Sequence, residues 1–476
     1  MMRSLYSAVS GLQNHQTRMD VIGNNISNVN THGFKKGRAT FQDMLSQTLS
    51  GAARPTEEKG GVNPKQVGLG MVIAAIDTLH TQGSLQSTGV NTDMAISGNG
   101  FFLLKDGEKI FYTRAGAFGL DKDGLLVNPA TGLKVQGWTS QQVAGQYLIR
   151  SADTPDDIII PLYSKDPALA TGNIDFKCNL MSEMSIIPDL DEATEQDLIR
   201  NTWTSSIDSF DSLGVPIETR FTFHKTDTNQ WTVRVDAFRK DPDNPEDKIQ
   251  IDDNQLSINV VPTEGEEHGA IEGQREFILD FDNLGRIISV TDENGDVISQ
   301  DNLYAVLRIE DPGTGAAPME MQINLGEAGR VRTEDGIGVT QFSSQFTTKP
   351  FRQDGFGLGY LEGLKVDNTG TITGVYSNGN HRILAQVAIA TFVNPGGLEK
   401  AGETNFIYSN NSGEPDVGTA GSMGKGKIMA GALEMSNVDL AEQFTDMIVT
   451  QRGFQANSKT IQTTDQMLQE LMTLKR

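Results

Sequence analysis

The residues able to do chemistry are few and scattered along the 476-residue chain. Cysteine occurs once, at Cys178; this rules out an internal disulfide framework, and a lone thiol is ordinarily a small buried hydrophobe. The six histidines, His15, His32, His80, His224, His268 and His381, never come together at the short spacings that collect metal ligands. No G-x-S-x-G elbow is present to expose a serine nucleophile. GSMGKGKI, residues 421–428, has the outline of a phosphate loop. Ile428 stands where a magnesium-binding hydroxyl is needed and no strand pattern leads in, so the stretch reads as a flexible linker. TDENGDVIS sets Asp292, Asn294 and Asp296 at calcium-loop spacing, but its glycine comes fourth instead of sixth and Leu303 replaces the closing glutamate. A hairpin turn at Asn294-Gly295 explains it better. Asp189, Asp191 and Glu192 have the right types for acid/base work, yet carboxylates so numerous form a solvated face. The expectation is a chain with no catalytic cluster, no metal and no cofactor.

Charge narrows the partners. Lys and Arg total 39 against 62 Asp and Glu, a net charge of −23, which repels a polyanion and excludes nucleic acid. Residues 171–345 hold 13 basic and 35 acidic side chains, all but one unit of that net charge. The near-neutral ends can therefore approach other copies of themselves. MMRSLYSAVSGLQNHQ lacks the apolar core of a secretory signal, and nowhere do about 18 apolar residues run together, so membrane insertion is not expected.

The elements that position these residues follow from periodicity. Leu5, Val9, Leu12, Met19, Ile22, Ile26 and Val29 fall three, four and seven apart, one narrow face of a helix. Leu440, Phe444, Met447, Ile448, Phe454, Ile461, Leu468, Leu471 and Met472 repeat that period over a second helix of about 35 residues, roughly 50 Å long. Two narrow seams at opposite ends suggest a coiled coil, with two unrelated amphipathic helices as the alternative. Between them the period drops to two. Phe221 and Phe223, a turn through Asp227 to Asn229, then Trp231, Val233 and Val235 read as a hairpin with one buried face. Phe277, Leu279 and Phe281 before Asn283 to Gly285, and Asn378-Gly379 leading to residues 383–392, read likewise. Loop-like stretches at 51–70 and 410–426 separate helices from β body. The fold class is thus α+β multidomain: terminal helices pairing as a coiled coil, with all-β domains inserted between them.

Three long stretches carry a resemblance. NNISNVNTHGFKKGR (residues 24–38), ISGNGFFLL followed by YTRAGAFGLDKDGLLVNPATGLKVQGW (96–104 and 112–138), and EMSNVDLAEQFTDMIVTQRGFQANSKTIQTTDQMLQEL (434–471) closely resemble, in order, the signatures of the bacterial flagellar axial family of rod, hook and hook-associated subunits. The large central insert and the return segment 359–409 are similar to the hook branch. Distal rod subunits are shorter and lack such an insert.

That resemblance implies a structural subunit, not an enzyme, stacking helically into a short bendable tube that carries torque from rod to filament. Residues 1–30 and 431–476 form the inner-tube helices, 31–75 and 410–430 linkers, 76–170 and 346–409 a discontinuous β domain, and 171–345 the acidic outer domain. Implied partners are other copies, the distal rod, a hook cap and the hook–filament junction, with export through the flagellar type III apparatus without a cleaved leader. The destination is the hook, periplasmic in a spirochaete and otherwise outside the cell. The motif residues Asn24, Asn25, Asn28, Asn30, Gly33 and Phe34 then suit a chain leaving a helix and bonding to neighbours, since asparagine bonds nearby backbone. The polymer seam falls on Leu5, Val9, Leu12, Met19, Ile22, Phe444, Met447, Ile448, Ile461, Leu468 and Leu471. Finally, residues 163–180 (YSKDPALATGNIDFKCNL) resemble spirochaete hook subunits, in which a lysine and a cysteine of neighbouring copies join as lysinoalanine. That implies Lys165 as nucleophile, Cys178 as acceptor and Asn179 as helper, with Lys177 a rival nucleophile. Outside this family, the reading to weigh is a surface adhesin: an acidic β domain carried on a helical stalk.

Overall fold

A computed structural model describes residues 2–474 except 53, 56–59, 144–145, 164, 188–199, 242–247, 260–274, 293–296, 300–301, 332, 334–335 and 348–349. The Asn294-Gly295 turn, the Asp189, Asp191 and Glu192 cluster and His268 lie outside the described residues. The chain divides into two compact units. Unit 1 is Met1–Leu162, Glu362–Val375 and His381–Arg476, and unit 2 is Tyr163–Leu361 with Tyr376–Asn380.

Unit 1 begins with helix α1, Met2–Ser27, and ends with helix α2, Leu440–Leu474. The two pair along their length, as their shared period leads one to expect. Although the apolar stripe runs on to Val29, α1 stops at Ser27, where Asn28 donates from Nδ2 to the Asn24 carbonyl at 2.9 Å and so competes with the backbone for that acceptor. Strand Gly37–Asp43 then runs antiparallel to Met71–Thr78. The stretch 51–70 is not loop throughout, since Lys65–Gly68 pairs with Ser46–Ser50. All of these paired residues are exposed, so no alternation of apolar residues marks the ribbon in the sequence. The stretch 410–426 likewise holds a strand, Asp416–Thr419, against His381–Thr391. The loop-forming GSMGKG segment is a closed turn, with the Gly421 amide on the Gly426 carbonyl at 2.9 Å.

The main sheet of this unit orders Thr371–Tyr376, His381–Thr391, Lys134–Thr139, Phe101–Asp106, Lys109–Thr113, Asn405–Ile407 and Glu399–Gly402 side by side. Its core of Phe101, Leu103, Tyr112, Trp138, Ala388, Ala390, Phe392, Leu398 and Phe406 is contributed by segments hundreds of residues apart. Burying each large side chain contributes about 1.5–3 kcal/mol, so closing this sheet is what brings the chain's two ends to one place.

Unit 2 is all β. Thr202–Phe210, Pro216–Asp227, Gln230–Lys240, Glu276–Phe281, Ile287–Asp292 and Val297–Ser299 form one antiparallel sheet in that order. The expected hairpin pairs Asp227 with Gln230, Asn229 takes the turn at φ 64°, and Phe221, Phe223, Trp231, Val233 and Val235 are all buried. A second sheet orders Leu256–Asn259, Asn302–Ile309, Met319–Glu327, Asn173–Met181 and Gly338–Phe342. Asn173–Met181 lies parallel to Met319–Glu327 and Gly338–Phe342, and its first half also pairs antiparallel with Pro350–Gln353. Side chains of both sheets interdigitate in a single core.

The joint between the chain ends

The helix pair is antiparallel, and its facing surfaces are small and polar. An added Cβ at Gly11 would stand 2.6 Å from Asn457 Nδ2, and one at Gly453 would stand 2.8 Å from the His15 ring. Arg18 pairs with Asp446 at 3.1 Å. At the far end Asn25, buried, donates from Nδ2 to Gln443 Oε1 at 3.0 Å. Among the seam residues read from the sequence, Ile22 is buried and Leu5, Leu12, Met19, Met447, Ile461 and Leu468 are half-buried. Val9, Phe444, Ile448 and Leu471 are exposed in the single chain, Ile448 to 58%.

Of the four asparagines in the last turn of α1 and just past it, Asn25 fastens the next strand. Its Nδ2 donates to the Gly37 carbonyl at 2.8 Å and its Oδ1 accepts the Gly37 amide at 2.9 Å, the pairing a neighbouring strand would make. Asn24 and Asn28 bond each other at 2.9 Å, with Thr31 donating to Asn28 at 3.1 Å; Asn30 is exposed. Gly33 turns at φ 71°, and a Cβ there would lie 2.5 Å from the Ala115 nitrogen, so both the turn and the close approach need glycine. The half-buried Phe34 ring has Lys400 Nζ 5.4 Å from its centroid.

Immediately beyond lies a buried ionic cluster that sequence reasoning missed. Lys35 Nζ meets Glu434 Oε1 at 2.6 Å and the Thr81 carbonyl at 2.7 Å. Arg114 reaches Glu434 Oε2 at 3.3 Å and the Gly98 carbonyl at 2.8 Å. The Gly83 amide donates to Glu434 Oε1 at 2.8 Å, and the Glu434 carbonyl accepts the Gly33 amide at 2.8 Å. Beside it Asn437 accepts the Lys36 amide at 2.8 Å and donates to the Leu79 carbonyl at 2.8 Å. One carboxylate of the C-terminal segment thus ties Lys35 of the N-terminal segment, the Gly83 amide and Arg114, the residue after Lys109–Thr113. Burial lowers the Lys35 and Arg114 pKa values, with Glu434 pulling the other way. His80 packs edge-on between Phe101 and Phe406, and burial, then Lys35, Arg114 and Lys400, push its pKa down to about 4. The available signal was a charged residue inside an apolar run, as Arg114 is between Phe111-Tyr112 and Ala115 to Phe118.

In unit 2, Lys165 is exposed on Lys165–Asp166, which pairs with Gly359–Val366, and its Nζ sits 5.4 Å from the Tyr360 ring centroid. Cys178 is buried in the core on Asn173–Met181. Asn179 clasps Gly338–Phe342 and the segment after it: Nδ2 donates to Ser344 Oγ at 2.9 Å, and Oδ1 accepts the Phe342 amide at 3.0 Å and the Thr340 hydroxyl at 3.1 Å. No group of His, Cys, Asp and Glu able to hold a metal occurs among the described residues.

Family models match in the same order as these features: "flagella basal body rod protein" at residues 5–35, "flagellar hook protein FlgE/F/G D1 domain" at 95–174, "flagellar basal body protein FlaE D2 domain" at 179–356, and "flagellar basal body rod FlgEFG protein C-terminal" at 429–474. Flagellar hook proteins FlgE from Treponema pallidum and Borreliella burgdorferi are 50% and 47% identical, each alignment covering all of both chains. The Salmonella typhimurium hook protein is 30% identical over 99% of this chain and all of its own. The crystal structure of Helicobacter pylori flagellar hook protein FlgE2 shares the fold, at 15% identity and a TM-score of 0.50, covering 74% of this chain and all of that one. End-to-end identity to hook subunits, on a fold whose two ends are locked together within family-matched segments, leaves one conclusion: the chain belongs to the flagellar hook protein family and is a structural subunit of the flagellar hook.

Proposed function

We propose that this subunit polymerises helically through its end helices, which line the inner tube, and that the tube is stiff in torsion and soft in bending. The observation that supports this is the partition of side chains on the helix pair. Inside the chain the helices meet through Gly11, Gly453, Asn25 and Gln443, while Val9, Phe444, Ile448 and Leu471 face outward. Large exposed apolar faces on a helix mark a contact with something else, and a tube of identical subunits covers them. Exposed Asn24 lies in the last turn of α1 and exposed Asn30 just past it. Other partners in this reading are the distal rod, the hook cap, the hook–filament junction and the type III export apparatus. Removing residues 440–474 is expected to leave a soluble chain that never polymerises; tubes formed by that truncation would refute the reading.

The resemblance of residues 163–180 to spirochaete hook subunits implies a covalent step between copies. Cys178 loses its Cα proton while its Cβ–S bond breaks, releasing hydrogen sulfide and leaving dehydroalanine. A neutral Lys165 amine of a second copy then adds to Cβ, and Cα regains a proton; no oxidant is consumed. Since Cys178 is buried and Asn179 holds residues 340–344 over its strand, Asn179 serves here by positioning that cover. Mass spectrometry of boiled, reduced polymer is expected to show Lys165 joined to Cys178 with one hydrogen sulfide missing. Free Cys178 throughout intact polymers would refute the step and leave noncovalent packing alone.

A further inference from the structure

Buried charge in the joint does not balance. Lys35 and Arg114 are buried cations, and among the described residues Glu434 is the one carboxylate that pairs with either. A buried charge left without a counter-charge is costly, so a site of this kind is completed from elsewhere. Arg114 is 3% exposed, yet among the described residues its Nε–H finds no acceptor and neither ring nitrogen of His80 has a partner. Both side chains line one cavity of about 260 Å3, walled also by Asn99, Phe101, Phe392 and Val393. Lys35, Arg114 and Lys400 all act on His80 in the sense that a positive potential requires. Val393 of the cavity wall is 95% exposed, and Met423, the chain neighbour of the wall residue Gly424, is 93% exposed and held at φ 47°.

We propose that this cavity is a carboxylate socket, filled in the polymer by an Asp or Glu side chain of a second copy of the chain. The chemistry fits: a carboxylate offers two acceptor oxygens, one for Arg114 Nε–H and one for the His80 N–H, and carries the charge the cluster lacks. The identity of the occupant rests on the polymer reading above. The chain is itself the richest source of such groups, with 62 Asp and Glu. Contact through the exposed Val393 of the wall would exclude water from the anchored carboxylate, the arrangement that makes a buried polar anchor count.

The test uses full-length chain with 15N-labelled arginine and histidine. Acetate titrated into the monomer is expected to shift the Arg114 Nε–H and His80 ring resonances saturably, while sodium chloride at equal ionic strength does not. Asn99→Asp, which puts a carboxylate of the same chain on the cavity wall, is expected to abolish the acetate response, leave the melting temperature unlowered and slow polymerisation at least tenfold. In acetate-free polymer the Arg114 signal is expected at its acetate-saturated position. A monomer that responds to acetate no more than to chloride overturns the socket. A polymer whose Arg114 keeps the free position and still answers acetate overturns the second copy as occupant and makes this a site for free small anions. A wild-type chain that never polymerises overturns the reading of polymerisation through the end helices and that occupant together, while the monomer titration still decides the socket.

Discussion

Glu434 is the residue on which the joint depends, because its two oxygens bond two buried cations and a backbone amide at once. Glu434→Gln keeps the shape but strands Lys35 and Arg114, and breaking a buried pair in this way costs about 3–5 kcal/mol. Denaturant unfolding is expected to show that loss, whereas Glu403→Gln, an exposed change, stays within about 0.5 kcal/mol. His80 sets a pH dependence. Its folded pKa is about 4 against 6.5 for the ordinary group, so the unfolded chain takes up the proton first as pH falls. Stability is therefore full above pH 6.5 and declines toward pH 4, by up to about 3 kcal/mol. Thermal melts of His80→Phe at pH 7 and pH 4.5 should differ less than those of the wild type by a like amount.

At the scale of elements, glycine decides where helices and turns can meet. Gly33→Ala would drive a Cβ into the backbone of Arg114 and Ala115, which cannot swing aside, and would also hold alanine at φ 71°. The left-handed conformation alone costs about 1–2 kcal/mol. Gly89 turns at φ 75° with open space around it, so Gly89→Ala should show only that smaller cost, and the difference between the two unfolding free energies measures the close approach. The helix pair separates two roles in the same way. Gly453→Leu is expected to destabilise the monomer, since even a Cβ there meets the His15 ring at 2.8 Å. Phe444→Ala with Ile448→Ala changes exposed positions, so the monomer's melt should be unchanged while polymer yield by sedimentation falls at least tenfold. Retained assembly in that double variant would count against the outward apolar face as the polymer contact. The apolar stripe visible in the sequence therefore says that a helix has a face to cover. It does not say which partner covers it, because Gly11, Gly453 and Asn457, which let the backbones approach, carry no hydrophobic signal.

For the whole molecule, charge is the controlling variable. A net charge of −23 makes copies repel at low salt. Raising ionic strength to about 0.15 M, where the screening length is about 8 Å, is expected to lower the critical concentration for polymerisation. Sedimentation across a salt series should show the dependence in the full chain and a much weaker one in a chain lacking residues 171–345. A flat dependence in the full chain would mean that apolar helix contacts alone govern assembly.

Local order was open to reading from the chain itself: α1 and α2 from a period near 3.6, the hairpin at Asp227–Gln230 from alternation of two, and membership of a flagellar family from long ordered motifs. Each of these is set by neighbours a few residues apart, so a single sequence displays it. The positions of Asn25, Gly33 and Cys178 in the chain were equally visible, but not what they touch. Only the tertiary structure decided that Lys35, Arg114 and Glu434 share one buried site and that Asn173–Met181 lies parallel to two strands from far along the chain. It also decided that Cys178 faces a core. Contacts between residues hundreds of positions apart leave no period behind; they are fixed when the sheets close around their apolar side chains and carry the charged ones in with them.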